Sequence, residues 1–136
     1  RLKDLEKLLP YIDYLFPNEE EIALLTGEQD AAVNARLLVE AGVGCAVVKC
    51  GSRRCLIRTR TDTYSIPAYP VREAVDSTGA GDCFAAGFLW ALSEGMELEA
   101  CGRFACAAAS CAVEQLGATA GIRSVKEPLE RYDRLT

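Results

Sequence analysis

Between Val75 and Phe84 the chain reads Asp76-Ser77-Thr78-Gly79-Ala80-Gly81-Asp82-Cys83, and this stretch restricts the fold more than any other. Gly79, Ala80 and Gly81 have small or absent side chains. They separate a β-favouring segment from a helical pattern carrying Phe84, Phe88, Leu89 and Leu92. A chain that turns there from extended backbone into a helix leaves N–H groups unpaired at the helix N-terminus, where the dipole also favours an anion. Asp82 follows at once, and a carboxylate adds nothing to simple phosphate binding. An anion cradle beside a fixed base is what phosphoryl transfer to a hydroxyl requires. The same letters also have a plainer use, as backbone freedom at a turn and an acidic residue complementing the helix dipole.

Strand-like and helix-like segments alternate around this turn. Residues 2–9 read as a helix with Leu2, Leu5, Leu8 and Leu9 on one side, closed by Pro10, and the apolar run Tyr11 to Phe16 reads as a buried strand ended by Pro17. Asn18 is an N-cap for the next helix, with Glu21 at the third position of a capping box and Gly27 as the stop. Asp30 caps a further helix whose apolar face includes Val33, Leu37 and Leu38 and which ends at Gly42. Cys45 to Cys50 suits a central strand. Cys55 to Arg60 and Tyr64 to Ile66 suit a hairpin around Thr61-Asp62-Thr63. Helices follow over about 80–93, closed by Gly95, over about 98–116, ended by Gly117, and around 125–132 at the periphery. The second of these is so rich in Ala, Cys, Ser and Gly that it must pack closely against a neighbour. Alternation of this kind implies an α/β fold with a mostly parallel sheet and helices on both faces. Ligands in such sheets sit at the strand C-terminal ends, where the Asn18 and Gly79 loops fall.

Composition sets outer limits. The 136 residues suffice for one domain with a real core, and half of them are hydrophobic. No apolar run reaches the roughly 18 residues of a membrane span, and no secretory signal is visible. A net charge of −5 with no basic, aromatic-rich cluster argues against a nucleic-acid partner. Seven cysteines accompany no histidine and no C-x-x-C, so zinc-ligand spacing is missing. Cys101, Cys106 and Cys111 are five apart, which on a helix turns them about 140° from one another and prevents convergence on one ion. An odd count does not complete a disulfide framework. Reduced thiols used as small apolar groups in a cytoplasmic protein fit best.

The fourteen residues Asp76 to Leu89 resemble the C-terminal signature of the ribokinase-like carbohydrate kinases, the PfkB family, at Asp76, Ser77, Gly79, Ala80, Gly81, Asp82, Ala86, Gly87, Phe88 and Leu89. The resemblance implies a ribokinase-like three-layer fold, present as its C-terminal portion. Residues 1–136 would then form the nucleotide-binding and catalytic part, without the N-terminal part that carries the sugar pocket and lid. The opening Arg1-Leu2-Lys3-Asp4, with no initiator Met, suits a piece of a longer protein. Such a piece would self-associate or be covered by the missing part.

The resemblance also implies roles. Asp82 matches the catalytic base that takes the acceptor hydroxyl's proton; a carboxylate is a weak base, but a loose phosphoryl-transfer transition state needs little proton removal beforehand. Gly79, Ala80 and Gly81 match the anion hole, where a larger side chain would hold the phosphoryl group off. Asp76 and Thr78 match positions that bind a monovalent cation, K⁺, together with the loop around Gly117 and Gly121, although Gly121 replaces a more usual Ser or Thr. Asn18 and Glu21 form an N-x-x-E motif that helps hold Mg²⁺ through water, and a helix cap would use the same letters. Lys49 and Gly51 match contacts to the nucleotide phosphates, although a Lys at a strand end also snorkels for structural reasons. Cys106 stands where relatives often have Asn or His near adenine, and is not counted as a binding residue. The expected chemistry is ATP- and Mg²⁺-dependent phosphoryl transfer to a sugar hydroxyl. The alternatives are a nucleoside acceptor, or a fragment that binds nucleotide or anion without catalysis.

Overall fold

Strand β2, Cys45–Cys50, is an inner strand of the sheet. Its first four residues are all buried, as expected of an uninterrupted apolar run covered on both faces. The computed structural model describes residues 2–51, 54–67, 80–113 and 126–135. The chain divides into two units, residues 1–65 and 66–136.

In the first unit β2 pairs in parallel with β1, Tyr14–Leu15, placing Tyr14 opposite Cys45 and Leu15 opposite Ala46. On its other side it pairs antiparallel with β3, Arg54–Arg58, from Ala46 opposite Arg58 to Cys50 opposite Arg54. A four-residue turn then returns the chain as β4, Thr63–Ile66, giving the order β1-β2-β3-β4. The turn is closed by the Thr59 N–H on the Asp62 carbonyl and the Asp62 N–H on Thr59 Oγ1, both 2.9 Å. The described sheet is therefore mixed. Its parallel pair lies where a helical crossover joins the strands, and its antiparallel pair where only residues 51–53 separate them in sequence.

Helix α1, Glu19–Thr26, and helix α2, Ala31–Glu40, form that crossover. Leu9, Ile22, Ala35, Leu38, Val43, Ala46 and Val48 make one buried cluster, so the helices cover the β2 face that presents Ala46 and Val48. Asp30 caps α2 by accepting from the Ala32 and Val33 N–H groups. Gly42 has φ +117°, and a Cβ there would lie 2.9 Å from Pro10. Only glycine fits both the angle and the approach. Asn34 is fully buried between the helices: its Nδ2 donates to the Glu28 carbonyl at 3.0 Å, and its Oδ1 accepts from the Thr26 hydroxyl.

Two expectations near the N-terminus need correction. Residues 2–9 are not an α-helix but lead through two 3₁₀ turns, Leu2–Leu5 and Leu9–Tyr11. Pro10 has no N–H to continue an α-helical ladder, and the neighbouring bonds tighten to three-residue spacing, as from the Tyr11 N–H to the Leu8 carbonyl. The first strand is consequently two residues long, and Tyr11 is exposed.

The second unit is helical in its described part. Helix α3, Ala80–Ser93, and helix α4, Leu98–Val113, pack together across a short connection, with Gly95 at φ +81° closing α3. Cys101, Phe104 to Ala109, Ser110 and Cys111 of α4 are all buried, which is the close packing its small residues imply. Helix α5, Lys126–Leu135, packs one face on α4. Pro128 is buried, Arg131 donates to Ser110 Oγ at 2.8 Å, and Tyr132 meets Phe104 edge-on with ring centres 6.2 Å apart. All seven cysteines are free thiols. No helix among the described residues is long and apolar enough to cross a membrane.

Candidate active site

The first group of candidate residues gathers where β1 and β2 end. Asn18 caps α1 with extended backbone, its Oδ1 accepting the Glu21 N–H at 2.7 Å. Glu21 returns the bond, its Oε1 accepting the Asn18 N–H at 2.9 Å. The cap is thus a complete capping box, and the two residues that could serve a metal also satisfy α1's first donors. Asn18 lies in a parallel bridge with Lys49, whose N–H donates to the Pro17 carbonyl at 2.8 Å. One step further, the Gly51 N–H donates to Glu19 Oε1 at 2.9 Å. Two motifs about thirty residues apart, Asn18/Glu21 and Lys49/Gly51, therefore meet at the strand C-terminal ends, the usual ligand edge of an α/β sheet.

The second group opens α3. Ala80, Gly81 and Asp82 are its first three residues, so their N–H groups have no carbonyl within the helix to bond. Asp82 is exposed, while the neighbouring Cys83 is half-buried. Burial, and then the Asp82 carboxylate beside it, push the Cys83 thiol above the usual thiol range. Asp76, Thr78, Gly79, Gly117 and Gly121 lie outside the described residues, and so does the monovalent-cation site expected from them. A cavity of about 260 Å³ in the same unit is lined by Cys83, Ala86, Gly87, Trp90, Phe104, Ala108 and Pro128. That apolar lining has nothing with which to hold a triphosphate.

Among the described residues no three His, Cys, Asp or Glu side chains converge as a metal cage. What the first group offers a cation is the amide oxygen of Asn18 and the exposed carboxylate of Glu21, hard oxygens near Lys49. Such a set suits Mg²⁺ arriving with phosphates and keeping much of its water, and does not suit a softer metal.

A model of the pfkB family of carbohydrate kinases matches residues 1–124. The chain belongs to the pfkB family. An uncharacterized sugar kinase of Archaeoglobus fulgidus is 37% identical over 125 residues, covering 91% of the chain and 49% of that protein. A nucleoside kinase of Methanothermobacter thermautotrophicus is 38% identical over 128 residues, covering 94% of the chain and 40% of that protein. Among solved structures, Arabidopsis thaliana ribokinase complexed with ribose and ATP superposes with a TM-score of 0.87 at 34% identity, over 93% of this chain and 43% of that one. The fold of this pfkB member is thus ribokinase-like, and the chain spans less than half the length of each of these relatives.

Glu19 is the residue that motif reasoning missed. It is the acidic neighbour of an N-x-x-E motif, and no spacing rule links position 19 to position 51. Only the sheet register brings Gly51 to it.

Proposed function

We propose that, in the complete protein, this chain supplies the nucleotide-phosphate and catalytic elements of an ATP-dependent kinase acting on a sugar or sugar-like hydroxyl. The observation that carries the reading is Asp82, an exposed carboxylate in the first turn of α3 directly after Ala80 and Gly81. Binding a phosphate alone would not want a negative charge beside its donors. Transfer to a hydroxyl does, because the acceptor's proton needs a base while the oxygens of the moving phosphoryl group need N–H groups. In this reading the N–H groups of Gly79, Ala80 and Gly81 receive the phosphoryl oxygens. Asp82 orients the acceptor hydroxyl and takes its proton as the new P–O bond forms and the bond to the ADP oxygen breaks. Lys49 balances phosphate charge from the β2 end. Mg²⁺, held through water near Asn18 and Glu21, would neutralise the triphosphate when bound.

The nucleoside kinase of M. thermautotrophicus, at 38% identity, gives specific support to a second acceptor class, a nucleoside, by the same chemistry. The test is Asp82→Asn in the complete protein. It is expected to lower kcat at least about a hundredfold while nucleotide Kd stays within a few-fold. Near-normal turnover would remove Asp82 from the base role, and would favour a chain that binds anions without using a base.

A further inference from the structure

Three glutamates open α1. Glu20 and Glu21 are exposed, whereas Glu19 is half-buried. Its Oε1 accepts the Gly51 N–H at 2.9 Å across 32 residues of chain. Both ends of this bond are anchored. Glu19 stands between the two members of the Asn18–Glu21 capping box. Gly51 follows β2 directly, beyond its last ladder pair, Cys50 with Arg54. The strand itself is tied to the same corner through the Lys49 N–H on Pro17 and the Asn18–Lys49 bridge. A backbone N–H bonded to a carboxylate is a charge-assisted contact, stronger than an ordinary turn hydrogen bond.

We propose that Glu19 is a positioning residue, whose carboxylate clamps the Gly51 turn to the start of α1 and so fixes the Lys49–Gly51 segment for the nucleotide phosphates. This rests on the nucleotide-binding role given to that segment above. With the Gly51 N–H bonded to Glu19, phosphate charge at this corner is met by the Lys49 ammonium and not by the Gly51 amide. Two effects of removing the carboxylate then oppose each other. Coulomb attraction alone would tighten binding of an anion once a nearby negative charge is gone. Loss of the clamp would loosen the turn and weaken it. The clamp dominates, so the sign of the change decides the matter.

The test uses the complete protein with Glu19→Ala and Glu19→Gln. Glu19→Ala is expected to raise the Kd for ATP about tenfold while leaving the acceptor KM and kcat within about twofold. Glu19→Gln keeps a carbonyl acceptor and is expected to stay within about twofold of wild type throughout. Amide hydrogen exchange of the same protein should be faster at Gly51 in Glu19→Ala than in wild type, because the acceptor of that N–H is gone, and close to wild type in Glu19→Gln. Unchanged or tighter ATP binding by Glu19→Ala overturns the proposal, as does Gly51 amide exchange that Glu19→Ala leaves unchanged or a Glu19→Gln variant as impaired as Glu19→Ala. A wild-type protein that binds no nucleotide would instead remove the proposed function, and the role of Glu19 with it. The wild-type control reveals that outcome by itself.

Discussion

Replacing Gly87 by alanine sets two opposed effects against each other. Helices α3 and α4 approach so closely there that a Cβ on residue 87 would lie 2.9 Å from the Ala108 Cβ, with Ala105 Cα and Phe104 Cε2 both at 3.5 Å. In the middle of a helix, alanine is favoured over glycine by about 0.8–1.0 kcal/mol, because it loses less backbone freedom on folding. Against that stands a carbon–carbon contact about 1 Å inside ordinary separation. The Ala108 methyl is fixed to its own backbone and cannot rotate away, so the helices must part. Extra methyl groups in close-packed cores cost about 1–3 kcal/mol, and the expected net loss is about 1 kcal/mol, or about 4 °C in Tm for a chain of this size. In the double variant with Ala108→Gly the offending contact disappears, and the two substitutions should couple by about 1–2 kcal/mol. Urea unfolding of wild type, the two single variants and the double variant measures every quantity needed. A Gly87→Ala protein more stable than wild type by the propensity difference, with no coupling to Ala108→Gly, would refute the close-approach argument.

Other expectations follow from the same geometry. Glu21→Gln keeps an acceptor for the Asn18 N–H. Its Tm should therefore shift by no more than about 2 °C, while the Mg²⁺ concentration for half-maximal rate rises several-fold; a large stability loss with an unchanged Mg²⁺ requirement would leave Glu21 only its capping role. Asn34→Ala removes the buried partner of Thr26 and Glu28 and should cost about 1–3 kcal/mol by denaturant titration, and a loss below about 0.5 kcal/mol would show that this bonding adds little. The Cys83 thiol, raised above its ordinary 9.0 by burial and then by Asp82, should alkylate more slowly than free cysteine at pH 7 and faster in Asp82→Asn. Since the folded thiol holds its proton beyond the pH at which an unfolded one releases it, the associated stability is present below about pH 9 and is lost as pH rises through the folded value. A Cys83 labelling rate indifferent to Asp82→Asn would contradict that proximity.

Where a single local rule decides, the sequence was readable. The capping box at Asn18 and Glu21, the cap at Asp30, the Gly27 and Gly95 helix ends and the six-residue strand β2 lie where side-chain chemistry and hydrophobic run length place them. The small residues of α4 likewise announced its buried packing. The N-terminal segment was misread because Leu periodicity is shared by α-helices and successive 3₁₀ turns, and Pro10 decides between them through a missing hydrogen bond. The hairpin of β3 and β4 was legible from its turn residues, whereas the seat of α5 depends on tertiary contacts such as Arg131 with Ser110, which no local pattern encodes. At the candidate site, the family resemblance singled out Asn18, Glu21, Lys49 and Gly51, and residue types and spacing by themselves pointed to Asp82. That the first four share one corner, and that Glu19 joins them, emerged only from the strand register. The expectations for Asp76, Thr78, Gly79 and Gly117 fall outside the described residues.

Phosphorus-31 NMR of the complete protein with ATP, Mg²⁺ and a panel of sugars and nucleosides follows phosphoryl transfer itself. The γ-phosphate resonance of ATP should decline as a phosphomonoester of one acceptor grows in equal amount, and Asp82→Asn, still binding ATP, should slow this at least about a hundredfold. Phosphomonoester formation at the wild-type rate in Asp82→Asn, or nucleotide binding with no transfer to any acceptor hydroxyl, would contradict the proposed function.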